Sequence, residues 1–233
     1  RRQALMRALG QLKVVETYDD LVEIAEDEDE NTFVRVYALE AASSMGNEDI
    51  IPVLVDLFSH QEPRLRVAVI QGLSNFYLVS EEVVPIILDG LKDNHASVRL
   101  KAAEIVKEKQ IEIALPYLIY RAKNDSDKKI VYECYNAIAK INTQESVEFL
   151  DSIIKKGKYD FNPYNLLWLT EIPDSIFYLS PASVKYLIEN KNKLVKNAGR
   201  LLVNEKMKKN YSIDNNVIEK NTTIKTFDWF VFF

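Results

Sequence analysis

The sequence predicts an all-α fold, a right-handed α-α superhelix of stacked helix pairs with a non-repeat, mainly helical C-terminal cap. Three observations predict it: one phrase, of the form Val-Arg-x-x-Ala, recurs at a nearly constant interval, a second apolar segment lies between successive copies, and Gly and Pro are scarce, at 6 and 7 of 233 residues. A period of 31 to 33 residues with helical apolar spacing is typical of a helical solenoid.

The recurring phrase marks one helix of each repeat, which we call helix B. Its copies start at residues 1, 34, 65, 98 and 130, at intervals of 33, 31, 33 and 32 residues. The three complete copies begin with Val34-Arg35, Leu65-Arg66 and Val98-Arg99. The first copy, at Arg1-Arg2, lacks its apolar anchor, and the fifth, at Ile130-Val131, keeps the apolar frame but loses the arginine.

The second apolar segment of each repeat is helix A. Two copies begin with polar and acidic residues, Asn47-Glu48-Asp49 and Ser80-Glu81-Glu82, which suit the N-terminus of a helix. Near the start of helix A, where a missing N–H is tolerated best, stand Pro52, Pro85 and Pro116. Each repeat is therefore predicted to consist of helix A, a short polar turn and helix B.

These elements predict two regions. Residues 1–156 form an array of about five helix pairs, the first truncated, and residues 157–233 form an aromatic, basic capping region. A further helix A, at residues 146–155, has no helix B after it, and its apolar face is expected to be covered by Leu167, Trp168 and Phe177. Lys155, Lys156 and Lys158 would then remain in solvent.

The end of the chain carries two further predictions. A helix is expected from Ser180-Pro181 to about Lys209, because apolar residues recur there at helical spacing. The final segment is too apolar for a free tail, and exposed apolar patches mark interfaces. We therefore expect either docking or self-association through Trp229, Phe230, Phe232 and Phe233.

Charge separates the two parts of the chain. Residues 1–154 hold 17 Lys and Arg against 27 Asp and Glu, a net charge of −10, whereas residues 155–233 carry +5. An acidic repeat body repels phosphate backbones, so no nucleic-acid partner is expected. No apolar run is long enough for a membrane span. Because Arg1-Arg2 is neither an initiator Met nor a secretory signal, we expect a piece of a longer protein, cytoplasmic by default.

The polar turns between helix A and helix B share one more column. Six residues before the position of the helix-B arginine stand Asp29, His60, Asp93 and Asp125. Together with the helix pair, the early proline and Val-Arg-x-x-Ala, this pattern resembles HEAT repeats, especially the short bacterial kind similar to phycobilisome-lyase HEAT-like repeats. The resemblance covers about residues 1–156.

The resemblance implies a ladder in which turn aspartates and helix-B arginines join neighbouring repeats. Carried over to this sequence, the acids are Asp29, Asp93 and Asp125, and the bases are Arg2, Arg35, Arg66 and Arg99. His60 and Val131 depart from the pattern, so the ladder should be interrupted there, and the fifth repeat should be terminal or degenerate. The resemblance indicates the fold rather than the function, because one fold serves many roles.

Residue chemistry points away from catalysis. The two histidines, His60 and His95, lie in neighbouring turns, where a metal pair is conceivable but the ligand set is thin. HEAT-like di-iron hydroxylases need repeated His-Glu pairs, which do not occur here, and the acidic body disfavours a HEAT-like DNA glycosylase. Cys134, the single cysteine, is expected in the core. We predict no catalytic, cofactor-binding or metal-binding residue, and no enzyme.

The surface of helix B remains as the candidate site. Counted from each anchor, the third and sixth positions should face the concave side of the solenoid, at Tyr37, Ala68, Lys101, Glu133, Glu40, Gln71, Glu104 and Asn136. A mixed strip with one aromatic anchor suits a protein or peptide partner. The sequence therefore predicts a non-enzymatic scaffold or adaptor. The alternative is a lyase-type chaperone or enzyme of the HEAT-like class acting on a bound small molecule.

Overall fold

The structure, a computed structural model, describes residues 2–156 and 181–200, with gaps at 192, 194 and 198. The chain divides into two compact units, Arg1–Ile141 and Asn142–Phe233. The described residues form helices in the order α1 (Arg2–Leu12), α2 (Tyr18–Glu26), α3 (Thr32–Ser44), α4 (Ile50–Leu57), α5 (Pro63–Leu73), α6 (Val83–Gly90), α7 (Ala96–Lys109), α8 (Leu115–Asn124), α9 (Lys128–Ile141), α10 (Gln144–Lys156) and α11 (Pro181–Glu189).

The first unit is a solenoid of helix pairs. Helix α1 corresponds to a helix B, and the pairs α2/α3, α4/α5, α6/α7 and α8/α9 follow it. The B helices α1, α3, α5, α7 and α9 pack side by side in that order, and each helix A packs on the helix B that follows it. The predicted all-α solenoid is confirmed, with one layer of A helices and one of B helices.

Side chains in the turns cap the B helices. Asn31 Oδ1, Glu62 Oε1 and His95 Nδ1 each accept a hydrogen bond from the backbone N–H two residues later, at the start of α3, α5 and α7. These bonds satisfy donors that the first helical turn leaves free. The caps fix where each helix B begins, and thus the register of its side chains.

The B helices also end in a recurrent way. Lys13, Gly46 and Gln110, which follow α1, α3 and α7, have left-handed backbones with φ of 49°, 81° and 53°. The Val14 N–H donates to the Leu9 carbonyl and the Ile111 N–H to the Val106 carbonyl, which is the Schellman pattern. The left-handed residue reverses the chain into the next helix A.

The core register agrees with the sequence prediction. The fourth position after the anchor is 0% exposed at Ala38, Val69, Ala102 and Cys134. Its counterpart in α1 is Leu5, which is 55% exposed, because no helix A of the described chain precedes α1. Burial raises the pKa of the Cys134 thiol to about 12, so the thiol is un-ionised at neutral pH.

In the second unit, α10 confirms the predicted additional helix A. Its buried face consists of Val147, Leu150, Ile153 and Ile154. Helix α11 packs on α10, and the Ser183 hydroxyl donates to the Asp151 carbonyl at 3.4 Å. The single helix predicted from Ser180-Pro181 to Lys209 is wrong, because α11 ends at Glu189 and the next two residues are not helical.

The physical reason for that break lies in two polar residues, Asn190 and Lys191. Asparagine is a poor helix former because its side chain competes for backbone hydrogen bonds. Helical backbone returns at Lys193.

Several predicted features lie outside the described residues. They are the side chains of Arg2, Lys155 and Lys156, the residue Lys158, the expected cap of Leu167, Trp168 and Phe177, and the terminal aromatic residues Trp229, Phe230, Phe232 and Phe233. Within the described chain, no helix combines the length and the apolarity that a bilayer crossing requires.

Candidate functional site

The candidate site is the row of B-helix side chains that the sequence predicts on the concave side, which we call the helix-B strip. Seven of the eight predicted side chains are at least partly exposed, namely Tyr37, Glu40, Gln71, Lys101, Glu104, Glu133 and Asn136. Ala68, expected in the same strip, is only 1% exposed. It is a small residue on α5 between two packed B helices, and it contributes no binding surface.

Tyr37 is held by a residue of the preceding B helix. Arg7 on α1 donates from Nη2 to the Tyr37 hydroxyl at 3.2 Å, and its guanidinium lies 4.7 Å from the centre of the ring. Such cation–π contacts keep an aromatic ring in place at a surface. Tyr37 is therefore a positioned anchor rather than a free side chain.

The sequence prediction did not include Arg7, although a signal for it exists. Arg7 stands six residues after the anchor of the first copy, in the same column as Glu40 and Gln71. The sixth position after the anchor therefore belongs to the strip in α1 as well, although Arg1 stands in place of an apolar anchor.

Glu40 on α3 lies between two cationic side chains. Burial raises the pKa of the Glu40 carboxyl, while the charges of Arg7 and Lys101 act in the opposite direction. Lys101 belongs to α7, so its charge acts across the intervening helix α5.

The C-terminal half of the strip is an ion-pair network. Lys101 Nζ lies 2.8 Å from Glu104 Oε2 within α7, and Lys107 Nζ lies 2.7 Å from Glu133 Oε1 on α9. Asn136 Nδ2 donates to Glu133 Oε2 at 3.4 Å. Lys107 therefore joins the two B helices, and it was not part of the prediction because it lies outside the two columns used.

The turns carry the second feature of the molecule, the arginine ladder. Arg66 donates from Nε and Nη2 to the two carboxylate oxygens of Asp93, at 2.7 and 2.8 Å. Arg99 holds Asp125 in the same way, at 2.7 and 2.9 Å. Each arginine thus pairs with the turn acid of the following repeat, and these two predicted rungs are confirmed.

Hydrogen bonds outweigh burial at both ladder acids. Burial alone would raise the pKa of Asp93, but bonds from Arg66 and from the His95 N–H hold it below its ordinary value. For Asp125, burial again acts upward, and bonds from Arg99 and from the Asp127 N–H lower the pKa. Both carboxylates are ionised at neutral pH.

The ladder is interrupted at His60, as predicted. Arg35 Nη1 lies 3.5 Å from His60 Nε2, and Arg35 Nε donates to the Ala25 carbonyl at 3.0 Å. Asp29, predicted as a ladder acid, is exposed, and its expected partner, the side chain of Arg2, lies outside the described residues.

The two histidines have local structural roles. His60 Nδ1 accepts from the Glu62 N–H at 3.0 Å, and His95 Nδ1 lies 2.8 Å from the Ser97 hydroxyl. Over the described ranges, no three His, Cys, Asp or Glu side chains are grouped so that they could hold a metal ion.

Solved structures share this fold at low sequence identity. The complex of CpcE and CpcF of phycocyanin lyase from Nostoc sp. matches with a TM-score of 0.51 at 18% identity, covering 88% of each chain. A designed armadillo repeat protein matches with a TM-score of 0.51 at 16% identity, covering 80% of this chain and 98% of its own. At these identities the likeness shows the fold alone.

Sequence comparison identifies the family. No curated protein matches this chain significantly. A family model described as "Spirochaete HEAT repeat protein" matches residues 1–226, well beyond the repeat array predicted from the sequence. Since that match covers nearly the whole chain, the protein belongs to the spirochaete HEAT repeat family.

Proposed function

We propose that the protein is a non-enzymatic scaffold or adaptor that binds a protein or peptide partner along the helix-B strip. The observation that carries the proposal is that polar side chains of the strip contact one another between α1 and α3, at Arg7 and Tyr37, and between α7 and α9, at Lys107 and Glu133. A stack of similar helices presents such side chains at regular intervals, which suits an extended partner.

Charge along the strip alternates in sign. Arg7, Glu40, Lys101 and Glu104 follow one another across α1, α3 and α7. Exposed ion pairs contribute little to stability, so a partner can replace them at little cost. Alternating charge then selects a partner of complementary pattern and excludes others by repulsion.

Tyr37 supplies the apolar contact of the strip with a partner. Its ring is partly exposed, and Arg7 already restricts its orientation. Aromatic side chains that are fixed before binding lose little entropy on binding and are common among energetically dominant interface residues. Truncation of Tyr37 should therefore weaken partner binding more than the loss of any one charge.

The test is quantitative affinity capture from the source cell. The double variant Tyr37→Ala/Glu104→Lys removes the anchor and reverses one charge in the strip. The matched control, Tyr120→Ala/Glu112→Lys, makes the same chemical changes at exposed positions in and before α8. We expect a specific partner to be lost with the first variant and kept with the control. Equal recovery with both would reject the helix-B strip as the binding surface.

The alternative, a lyase-type chaperone or enzyme acting on a bound small molecule, differs in a direct observation. This chain shares only its fold with the complex of CpcE and CpcF of phycocyanin lyase. A protein that acts on a bound small molecule needs an enclosed pocket with convergent polar groups. Native mass spectrometry of protein purified from the source cell distinguishes the two: a retained small molecule favours the alternative, and the mass of the polypeptide alone favours the scaffold.

A further inference from the structure

The interruption of the ladder leaves a buried guanidinium in an unusual state. Arg35 is 4% exposed, less than Arg66 at 8% and Arg99 at 9%. Arg66 and Arg99 each hold both oxygens of a carboxylate. Arg35, the most buried of the three, has no carboxylate within hydrogen-bond distance in the part of the chain that the structure describes.

His60 does not replace the missing acid. Its Nδ1 accepts the Glu62 N–H, so in the neutral ring the hydrogen resides on Nε2. Nε2 then presents a donor to Arg35 Nη1, itself a donor, at 3.5 Å. A guanidinium has five N–H donors, and here only Nε has a short bond, to the Ala25 carbonyl.

The Arg35 side chain, although buried, forms part of the wall of an open groove at the turn edge. The groove is lined by Arg35 and His60 together with three acidic residues, Glu28, Glu30 and Asp56. A ligand that reaches the buried guanidinium of Arg35 therefore passes negatively charged side chains. A free anion is repelled by those carboxylates, whereas a ligand that carries both signs of charge meets them favourably.

We propose that this groove binds a carboxylate of a peptide, an Asp or Glu side chain or a C-terminus, that is flanked by Lys or Arg. Because Nε of Arg35 already donates to the Ala25 carbonyl, the peptide carboxylate accepts two N–H···O bonds from Nη1 and Nη2. The flanking cations pair with Glu28 or Asp56. The site lies on the turn edge, so it is independent of the helix-B strip and of the proposed function.

The probe is a pair of capped peptides that differ in one group. Acetyl-Lys-Asp-Lys-amide carries the required carboxylate, and acetyl-Lys-Asn-Lys-amide replaces it with a neutral amide of the same shape. Titrated into the full chain and followed through the Arg35 Nε–Hε resonance, the Asp peptide should bind about tenfold more tightly, because a charge-assisted bidentate bond is lost with Asn. Equal affinities would overturn the proposal.

Two variants of His60 test whether the peptide preference depends on the missing carboxylate rather than on a change in folding. His60→Asp places an internal carboxylate beside Arg35, as in the other two rungs, so the preference for the Asp peptide should vanish while the melting temperature rises. His60→Asn, the matched control without the charge, should keep the preference. Persistence of the preference in His60→Asp, or its loss in His60→Asn, would contradict the assignment. The strip variant Tyr37→Ala/Glu104→Lys should bind the peptides as the parent does.

Discussion

Two neighbouring junctions of one array differ in the turn residue that faces the helix-B arginine. Between α5 and the next turn, Arg66 holds both oxygens of Asp93, whereas between α3 and its next turn, Arg35 meets His60. Both arginines stand in the same column and both are buried. Burial of the arginine is thus common to the two junctions, and the presence of a carboxylate is what distinguishes them.

The difference shows which contacts stabilise the packing of one repeat on the next. A buried charge loses hydration, and only a well-aligned opposite charge with further hydrogen bonds compensates for that loss. Arg66 also donates to the carbonyls of His60 and Gln61, and it bridges two turns at once. Arg35 makes one short bond, to its own preceding helix. The Arg66 and Arg99 junctions should therefore be stiff, and the Arg35 junction should be the weakest of the three.

The largest effect is expected at Asp125, whose side chain is fully buried. Asp125→Asn leaves the Arg99 guanidinium buried without a counter-charge, so the free energy of unfolding should fall by about 3 kcal/mol. Urea unfolding of the full chain measures it, and Asp56→Asn, at an exposed residue of a helix A, is the control. A loss below about 1 kcal/mol would place this pair among weak surface pairs.

Replacing the arginines tests the comparison directly. Arg66→Met leaves the Asp93 carboxylate buried and unpaired, so the free energy of unfolding should fall by about 2 to 3 kcal/mol. Arg35→Met removes a buried cation that has no carboxylate partner among the described residues, so stability should change by less than about 1 kcal/mol. Equal losses for the two variants would show that the carboxylate does not distinguish the junctions.

The paired junctions should also respond to acid. Hydrogen bonds hold the pKa values of Asp93 and Asp125 below their ordinary range in the folded protein, so the unfolded chain takes up protons first as the pH falls. Their stabilisation is complete above the unfolded-state pKa of about 3.9 and is lost as the pH falls through the lowered folded-state values. Each of the two carboxylates should make the free energy of unfolding fall more steeply with decreasing pH, by up to about 1.4 kcal/mol per pH unit.

The double variant Asp93→Asn/Asp125→Asn isolates this acid response. Urea unfolding between pH 6 and pH 2 should show a shallower decline for the variant than for the parent. Identical slopes would mean that other carboxylates account for the acid sensitivity.

The smallest effect is expected at an exposed pair close to the ladder. Lys92 Nζ lies 2.5 Å from Asp89 Oδ1, as close as any rung, yet both side chains are more than half exposed. Solvent screens such a pair, so Asp89→Asn should leave the unfolding midpoint unchanged. A loss similar to that of Asp125→Asn would indicate that distance, rather than burial, sets the strength of these pairs.

Periodicity predicted the parts of the molecule that repeat. The period located the arginine and aspartate columns, and the resemblance to HEAT repeats implied that they pair. Arg66–Asp93 and Arg99–Asp125 do so, and the ladder is interrupted at His60. This succeeds because each repeat packs on its neighbour in the same way, so one column serves one structural purpose.

Features without a period were not predictable in the same way. Lys107 reaches Glu133 because a long side chain spans the gap between two B helices, which a column count does not reveal. Arg35 donates from Nε to the carbonyl of Ala25, ten residues earlier, whereas Arg66 and Arg99 use Nε to hold a carboxylate. The break after α11 depends on Asn190, whose effect competes with apolar spacing.

Cys134 gives the array a natural reporter of its own motion. It is the single cysteine, is 0% exposed on α9, and its thiol pKa of about 12 leaves almost no thiolate at pH 8. Because only an exposed thiolate attacks a disulfide reagent, labelling must pass through an opened state in which α9 has separated from its neighbours. When closing is faster than the chemical step, the labelling rate gives the population of that opened state. Comparing parent and Asp125→Asn by this rate would reveal whether the Arg99 rung governs how often the final helix pair of the first unit detaches, without any engineered label.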